Sequence, residues 1–189
     1  GSYLSDIALS GEKTEGTGSV KITYPDVTAD GTFGGQTYVD FLEPVDLSNY
    51  TGISLDLYVG EDMSGIGGGI QLNLASPADA EDGFNMMAGI DNSPVGWKTV
   101  YFTFADAQVI DRFEPNWASV RRMRIGYLNY QHMSDQYFLV DNICLTGQKN
   151  PDLAGPVVKL EEETPPAAQG ELLLSDCDSL AGWMGDLNM

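Results

Sequence analysis

Arginine side chains are concentrated at one point of an otherwise acidic chain. Three of the four arginines, Arg121, Arg122 and Arg124, lie within four residues, although the sequence carries 28 acidic and only 9 basic side chains. Arg122 and Arg124 alternate with apolar residues, so both point to the same face of a predicted strand. A guanidinium there donates hydrogen bonds in a fixed fork, which suits carboxylates or the hydroxyl groups of a ligand.

Other polar side chains take the corresponding positions of three further predicted strands. The predicted face carries Tyr38, Asp40, Gln71, Asn73, Asn85, Met87, Arg122 and Arg124. Amides, a carboxylate, guanidinium groups and an aromatic ring pair with vicinal hydroxyls and stack on sugar rings, so the set indicates a sugar-binding face. The alternative is that Arg122 and Arg124 only pair with Asp40 or other acids, and such exposed cross-strand pairs contribute about 0.2 to 1 kcal/mol.

The loop after the arginine strand holds two further candidates. Residues 129–136 read NYQHMSDQ and include Tyr130 and the single histidine, His132. At the rim of the face, Tyr130 would stack on a sugar and His132 would donate or accept a hydrogen bond. The alternative is an ordinary exposed loop.

The elements that position these residues are predicted to be strands. Short alternating runs separated by Gly, Pro, Asp and Asn extend from residue 19 to residue 146, and no segment keeps a helical period over three turns. Strands are predicted over 19–24, 36–42, 52–59, 69–75, 84–90, 97–104, 120–128 and 137–145. This pattern is typical of an all-β jelly-roll β-sandwich. The first, eighth, third and sixth strands would form one antiparallel sheet, and the second, seventh, fourth and fifth the other, which carries the polar face.

The charge balance disfavours two classes of partner. A formal net charge of −19 would repel phosphate backbones and anionic lipid, so we expect neither nucleic acid nor membrane as a partner. Gly1 and Ser2 resemble the remnant of an expression vector, so any export signal would lie outside this fragment.

Three regions are predicted along the chain. Residues 1–147 form the β-sandwich, and residues 148–170 are a linker rich in Pro and acidic residues. Residues 171–189 are apolar again, yet too few to bury Leu172, Leu174 and Trp183 by themselves. This tail therefore needs a host surface.

Five phrases in order resemble one family of glycan-binding domains. They are GTGSVKITY (16–24), PVDLSNYTGISLDLYV (44–59), GWKTVYFTFAD (96–106), SVRRMRIGYLN (119–129) and YFLVDNICL (137–145). Together they resemble the galactose-binding-like jelly rolls that serve as carbohydrate-binding modules of bacterial glycan-degrading enzymes, nearest to families eleven and four. The resemblance implies a secreted or cell-surface protein that binds a polysaccharide or oligosaccharide on its concave sheet, beside neighbouring modules or an enzyme of the parent protein. In family-eleven-like modules an arginine of the strand matching Arg124 lies near the ligand.

The usual opening strand of such modules is missing before Gly16 and stands instead at the far end, as LLLSDCDSLAGW (172–183). Either a second module begins there, or the tail returns to the first-strand position beside residues 137–145. The linker is long enough for this return, within the chain or by strand exchange into a neighbouring copy.

The resemblance also implies a structural calcium ion, which oxygen ligands suit. Asp141 matches the acidic residue of the last strand, Glu12 or Glu15 would be the loop ligand, and Asp176 or Asp178 would complete the site if the tail returns. The same return would bring Cys177 near Cys144; otherwise both are ordinary thiols.

The sequence does not favour catalysis. No nucleophile elbow surrounds His132, whereas the two positioned carboxylates of a glycosidase are not excluded among so many acids. Tyr127, His132 and Arg124 have the residue types of some β-sandwich polysaccharide lyases, but the lyase strand motifs are missing. We therefore expect a non-catalytic glycan-binding module. The alternatives are a structural or adhesion repeat and, third, a small lyase.

Overall fold

The fold is described from a computed structural model. It covers residues 6–23, 36–59, 68–76, 83–90, 93–110, 115–129, 137–156, 158, 172–175, 177 and 183–185. These residues contain the strands β1 (Asp6–Ser10), β2 (Ser19–Thr23), β3 (Gln36–Val45), β4 (Gly52–Val59), β5 (Gly68–Ala75), β6 (Gly83–Gly89), β7 (Gly96–Thr103), β8 (Gln108–Ile110), β9 (Val120–Asn129), β10 (Tyr137–Thr146), β11 (Leu172–Ser175) and β12 (Trp183–Gly185). One turn of 3₁₀ helix, Phe104–Asp106, follows β7.

The strands form two antiparallel sheets. Sheet A has the order β1-β2-β10-β4-β7, with β11 also paired to β10, and sheet B has the order β12-β3-β9-β5-β6-β8. The predicted jelly-roll β-sandwich is confirmed, as is the division of the eight predicted strands between the sheets. All eight strands are present, with ends that differ from the prediction by at most three residues.

The core lies between the sheets and follows the two-residue period of the strands. In β4 the alternate residues Ile53, Leu55, Leu57 and Val59 are fully buried. Sheet B contributes Ile70, Leu72, Leu74, Met123 and Ile125, each at most 1% exposed. Because neighbouring residues of a strand point to opposite faces, these buried positions direct the intervening polar side chains of sheet B outwards.

The tail contributes one strand to each sheet. β4 pairs with one edge of β10, so β2 and β11 share the other edge, β2 beside Tyr137–Val140 and β11 beside Ile143–Leu145. β12 pairs with β3 at the edge of sheet B. Between them Cys177 is fully buried against the core. Cys144 is buried as well.

Residues after β10 also contact the sandwich. The backbone N–H of Lys149 donates to the carbonyl of Asn49, and the side-chain amide of Asn49 exchanges two hydrogen bonds with the backbone of Asn150. The first residues of the sequence-predicted linker are therefore held against the loop before β4.

Trp117 closes one side of the sandwich. Its ring stacks between Phe84 of β6, at 3.5 Å between centroids, and Phe104, at 4.2 Å. The backbone N–H of Leu47 donates to the Trp117 carbonyl. In the described part of the chain no helix is long and apolar enough to cross a membrane.

Candidate functional site

A row of polar side chains crosses the outer face of sheet B. Tyr38 of β3 lies opposite Arg124 of β9, Arg124 opposite Asn73 of β5, and Asn73 opposite Asn85 of β6. Asn85 lies opposite Gln108 of β8, which ends the row. We call these five residues the amide row. With strands about 4.8 Å apart, it spans roughly 19 Å, the length of a short oligosaccharide rather than of a single small molecule.

Two acceptors in the middle of the amide row have no partner. The side chain of Asn73 is only 7% exposed, and its Oδ1 atom accepts no hydrogen bond within the described structure. The Oδ1 atom of Asn85 is likewise buried and accepts none. A buried acceptor without a donor costs about 1 to 3 kcal/mol of stability. Both oxygens are shielded from solvent, so a ligand hydroxyl group would reach them only after the Asn73 and Asn85 side chains turn outwards.

Arg122 and Asp40 form the neighbouring row. The guanidinium of Arg122 binds both oxygens of Asp40, with Nη2 at 2.7 Å from Oδ2 and Nε on Oδ1. Its Cζ atom lies 3.9 Å from the centre of the Tyr38 ring. The cross-strand ion pair that the sequence offered as an alternative is thus present for Arg122. Arg122 thereby holds the Tyr38 ring from one side. The guanidinium at the centre of the amide row is that of Arg124.

Glycines line the other side of the amide row. Gly126 lies opposite Gln71, and Gly69 lies opposite Gly89, at positions where side chains would point outwards. A Cβ atom at Gly69 would meet the Ala88 carbonyl oxygen at 2.9 Å, whereas one at Gly89 would meet nothing within 4 Å. Glycine inside a strand often marks a close approach by a ligand or another backbone. At Gly69 the Met87 methyl group would lie 3.0 Å from such a Cβ atom, so the Met87 side chain covers this glycine, and the open position is Gly89.

The structure brings all eight sequence-predicted strand residues to one face. Tyr38, Asp40, Gln71, Asn73, Asn85, Met87, Arg122 and Arg124 occupy adjoining positions of β3, β9, β5 and β6. Tyr130 and His132 lie outside the described residues. The sequence analysis missed Gln108, because three residues are too few for a recognisable alternation. The one sequence feature that indicated a strand there was a polar residue, Gln108 itself, followed by the β-branched residues Val109 and Ile110.

The carboxylate of Asp141 is occupied by hydrogen-bond donors. The side chain is fully buried, and Oδ2 accepts from the Thr14 backbone N–H, the Thr14 hydroxyl and the Glu15 N–H at 2.7 to 3.1 Å. Oδ1 accepts from the N–H of Asn142. Asp141 therefore anchors the loop between β1 and β2.

The expected calcium site does not assemble within the described residues. They contain no group of three or more carboxylate, histidine or cysteine side chains able to hold a metal ion. Glu12 and Glu15 are exposed, and Glu15 approaches Asp141 through its backbone. Asp176 and Asp178 lie outside the described residues. Calcium binding stays a prediction that depends on these two residues.

The outer face of sheet A carries aromatic side chains instead. Trp97 contacts Tyr58 edge to face with centroids 5.5 Å apart, and Tyr58 stacks on Tyr137 at 6.4 Å. The Lys21 ammonium lies 4.2 Å from the centre of the Tyr137 ring. These rings pack on each other rather than presenting a flat platform.

Two groups away from sheet B's outer face have displaced pKa values. Burial lowers the pKa of Lys98, whose ammonium donates to the hydroxyl of Ser93. Burial raises the pKa of Tyr50. Each shift follows from packing at the border of the core.

Comparison with known proteins identifies the fold. No model of a known protein family matches the sequence, and no curated protein matches it. Among solved structures, the family 11 carbohydrate-binding module from Clostridium thermocellum, in complex with a β-1,3-1,4-mixed-linked tetrasaccharide, is similar with a TM-score of 0.53 and 20% identity over 78% of this chain and 88% of that chain. The family 11 module of a cellulosomal cellulase of Clostridium thermocellum gives a TM-score of 0.52 and 19% identity over 78% and 86%. The chain thus has the jelly-roll fold of carbohydrate-binding modules, as its sequence predicted.

Proposed function

We propose that the chain is a non-catalytic module that binds a neutral polysaccharide or oligosaccharide along the amide row. The observation that carries this proposal is the amide row itself, five hydrogen-bonding side chains in register across the outer face of sheet B from Tyr38 to Gln108. Asn73 and Asn85 lie at the centre of an outward face whose other members are also hydrogen-bonding groups. The fold shared with family 11 carbohydrate-binding modules supports the proposal, since one such module was solved with a bound tetrasaccharide.

The chemistry of the row suits a sugar chain. Sugar hydroxyls would donate to the Oδ1 atoms of Asn73 and Asn85, and the Arg124 guanidinium would donate to sugar oxygens.

The charges favour a neutral glycan. Asp40 is paired with Arg122, and the chain as a whole carries a net charge of −19. A uronic acid or a sulfated sugar would meet this negative field.

Such binding would concentrate a parent protein on its substrate. We infer a secreted or cell-surface bacterial protein with further modules or an enzyme beside this one. A dissociation constant of roughly 1 mM to 1 μM is expected, that is about −4 to −8 kcal/mol. Tyr130 and His132 would contribute at the rim.

Affinity electrophoresis tests the proposal. The protein is run through gels containing β-glucans, xyloglucan, xylan, mannans or pectin, beside Arg124→Ala, Arg122→Ala and the control Arg121→Ala. Arg121 is exposed on the same strand but alternates away from the amide row, so its removal changes the charge equally. We expect retardation by a neutral glycan, lost in Arg124→Ala, weakened in Arg122→Ala and retained in Arg121→Ala.

Two results would contradict the proposal. If the folded protein is retarded by no glycan, a structural or adhesion repeat becomes the better explanation. If incubation with a polysaccharide releases unsaturated sugars that absorb in the ultraviolet, the protein is a lyase and not a non-catalytic module.

A further inference from the structure

A cleft opens at the edge of the sandwich where the amide row ends. We call it the edge cleft. Sheet B supplies Asn85 and Gln108, and the opposite wall consists of Tyr101 of β7 and Asp106 of the 3₁₀ turn. The edge cleft has a volume of about 190 Å³. Sites for drug-sized molecules have about 300 to 1,000 Å³, so this cleft suits one small ring and not a longer chain.

The edge cleft is continuous with the proposed binding face. Asn85 and Gln108 are the last two members of the amide row and also line the cleft. Met87 belongs to both surfaces as well, and its side chain is 49% exposed. A glycan that follows the row from Tyr38 towards β8 would therefore reach the edge cleft with its end.

The walls of the edge cleft need a ligand that donates hydrogen bonds. The buried Oδ1 atom of Asn85 accepts none within the described structure, and Asp106 adds an exposed carboxylate. Thr103 and Gln108 add a hydroxyl group and an amide, which both donate and accept, so the hydroxyl groups of a sugar suit the walls, whereas a carboxylate or sulfate group would meet the Asp106 carboxylate.

The edge cleft also offers a surface for stacking. The side chain of Tyr101 is 68% exposed, and Met86 and Phe102 of the adjoining core contribute apolar surface. A ring that presents an apolar face and a hydroxylated rim matches this combination of apolar and polar walls.

We propose that the edge cleft is a terminal subsite that binds one neutral sugar residue at the end of the glycan lying along the amide row. This inference rests on the proposed function, because the sugar in the cleft belongs to the chain bound on the outer face of sheet B. It assigns a ligand-binding role to Tyr101 and Asp106, which lie on the opposite side of the sandwich edge from the row.

The test is a ladder of neutral oligosaccharides, from disaccharide to hexasaccharide, of the glycan that retards the protein most. Titration calorimetry gives the dissociation constant of each length for the full chain, for Tyr101→Ala and Asp106→Ala, and for Arg124→Ala. Leu153→Ala, at an exposed residue that neither lines the edge cleft nor belongs to the amide row, is the control. Tyr101 and Asp106 are exposed, so both variants should fold, and their melting temperatures verify this.

We expect Tyr101→Ala and Asp106→Ala to weaken the longest oligosaccharides roughly fivefold, about 1 kcal/mol, and to leave the shorter ones unchanged. Arg124→Ala should weaken every length, and Leu153→Ala none. In the unaltered protein the methyl resonance of Met87 should shift with oligosaccharides long enough to reach the cleft.

Each opposite outcome has a distinct meaning. If the cleft variants bind every length like the unaltered protein while Arg124→Ala does not, the terminal subsite is wrong and the proposed function stands. If the unaltered protein binds no member of the ladder, both are wrong. Should either variant fail to fold, a Met87 resonance that does not move with the longest oligosaccharide overturns the subsite.

Discussion

The outer faces of the two sheets differ in how far their polar side chains are hydrogen-bonded by the chain itself. On sheet A, Asp141 accepts three backbone hydrogen bonds and shares the single hydroxyl proton of Thr14 with Asp56, which also accepts from the Thr99 hydroxyl at 2.7 Å. On sheet B, the equally central Asn73 and Asn85 each bury an oxygen that accepts none within the described structure.

This difference distinguishes side chains that stabilise the fold from side chains that are available to bind a ligand. A carboxylate surrounded by donors from its own chain fastens a loop and has little capacity left for a ligand. A buried amide oxygen without a donor lowers stability and is retained where a ligand supplies the donor. We therefore infer a structural role for the region around Asp141 and Asp56 on sheet A and a binding role for the outer face of sheet B.

The largest expected effect comes from removing the strand that each sheet receives from the tail. Deleting residues 171–189 removes three paired positions beside β10 and three beside β3, and exposes the core around Cys177. At about 1 kcal/mol per backbone hydrogen bond, the loss is roughly 5 kcal/mol, comparable to the whole stability of a marginal domain. Thermal unfolding of the truncated chain measures it.

A peptide of residues 171–189 added to the truncated chain is the control, and it should restore the melting temperature if the tail strands bind in trans. An unchanged melting temperature after deletion would show that the tail does not stabilise the sandwich.

Asp141→Ala should weaken sheet A without affecting binding. Loss of three backbone hydrogen bonds and the shared Thr14 hydroxyl proton at a buried carboxylate is expected to cost about 3 kcal/mol, or roughly 6 to 12 °C in melting temperature. Asp56→Ala, at a half-buried carboxylate, should cost only about 1 kcal/mol. Glycan affinity should stay the same in both variants.

The same pair of proteins tests the calcium prediction. A calcium ion bound through Asp141 would make the melting temperature of the unaltered protein sensitive to EDTA and that of Asp141→Ala insensitive. Weaker glycan binding by a folded Asp141→Ala variant would break the division of roles between the two faces.

Asn73→Leu on sheet B should have the opposite effect to Asp141→Ala, because it should weaken glycan binding without lowering stability. Because the buried oxygen of Asn73 has no donor, the substitution should leave stability unchanged or raise it by up to about 1 kcal/mol, while glycan affinity falls roughly tenfold. Calorimetry and urea unfolding measure the two quantities separately.

Asn49→Leu is the matched control, since Asn49 exchanges two hydrogen bonds with Asn150. That variant should lose about 1 to 2 kcal/mol and bind normally. A clear loss of stability in Asn73→Leu would mean that the Asn73 amide serves the fold.

The smallest expected effect is on the pH dependence of the free energy of unfolding, and it concerns sheet A alone. Burial lowers the folded-state pKa of Lys98 below its ordinary value of 10.5, so between these two values the unfolded chain binds more protons. Stability should therefore rise with pH as the solution approaches pH 10.5, and Lys98→Met should lose this rise.

The raised pKa of Tyr50 has the opposing effect, because it makes stability fall above pH 10. Subtracting the stability curve of Lys98→Met from that of the unaltered protein cancels this contribution of Tyr50. Ser93→Ala, which keeps the ammonium, should retain the rise. A Lys98→Met curve parallel to that of the unaltered protein would contradict the assignment.

The positions of the eight strands and the side on which each of their side chains lies were predictable from local sequence, whereas the strand order came from the topology of a jelly roll. Leu72 and Leu74 alternate with Gln71 and Asn73, and the same period in β9 separates Met123 from Arg122 and Arg124. The period of a strand is fixed by its own backbone, so no distant residue is needed to read it. The short strands β8 and β12, of three residues each, escaped prediction because the period is not visible over so few residues.

Other features depended on residues far apart in the sequence. Arg122 and Arg124 are equivalent in the pattern, yet only the fold shows that Arg122 is bound to Asp40, 82 residues away. Asp141 has the residue type of a calcium ligand, but donors 127 and 126 residues away occupy its Oδ2 atom.

The sequence by itself determined which side chains share a face, because alternation is a property of the local backbone. The tertiary structure decided which polar groups are satisfied by the chain and which are left for a ligand. That distinction depends on neighbours that only folding brings within hydrogen-bond distance, as Asp141 and Asn73 show from opposite sides of the sandwich.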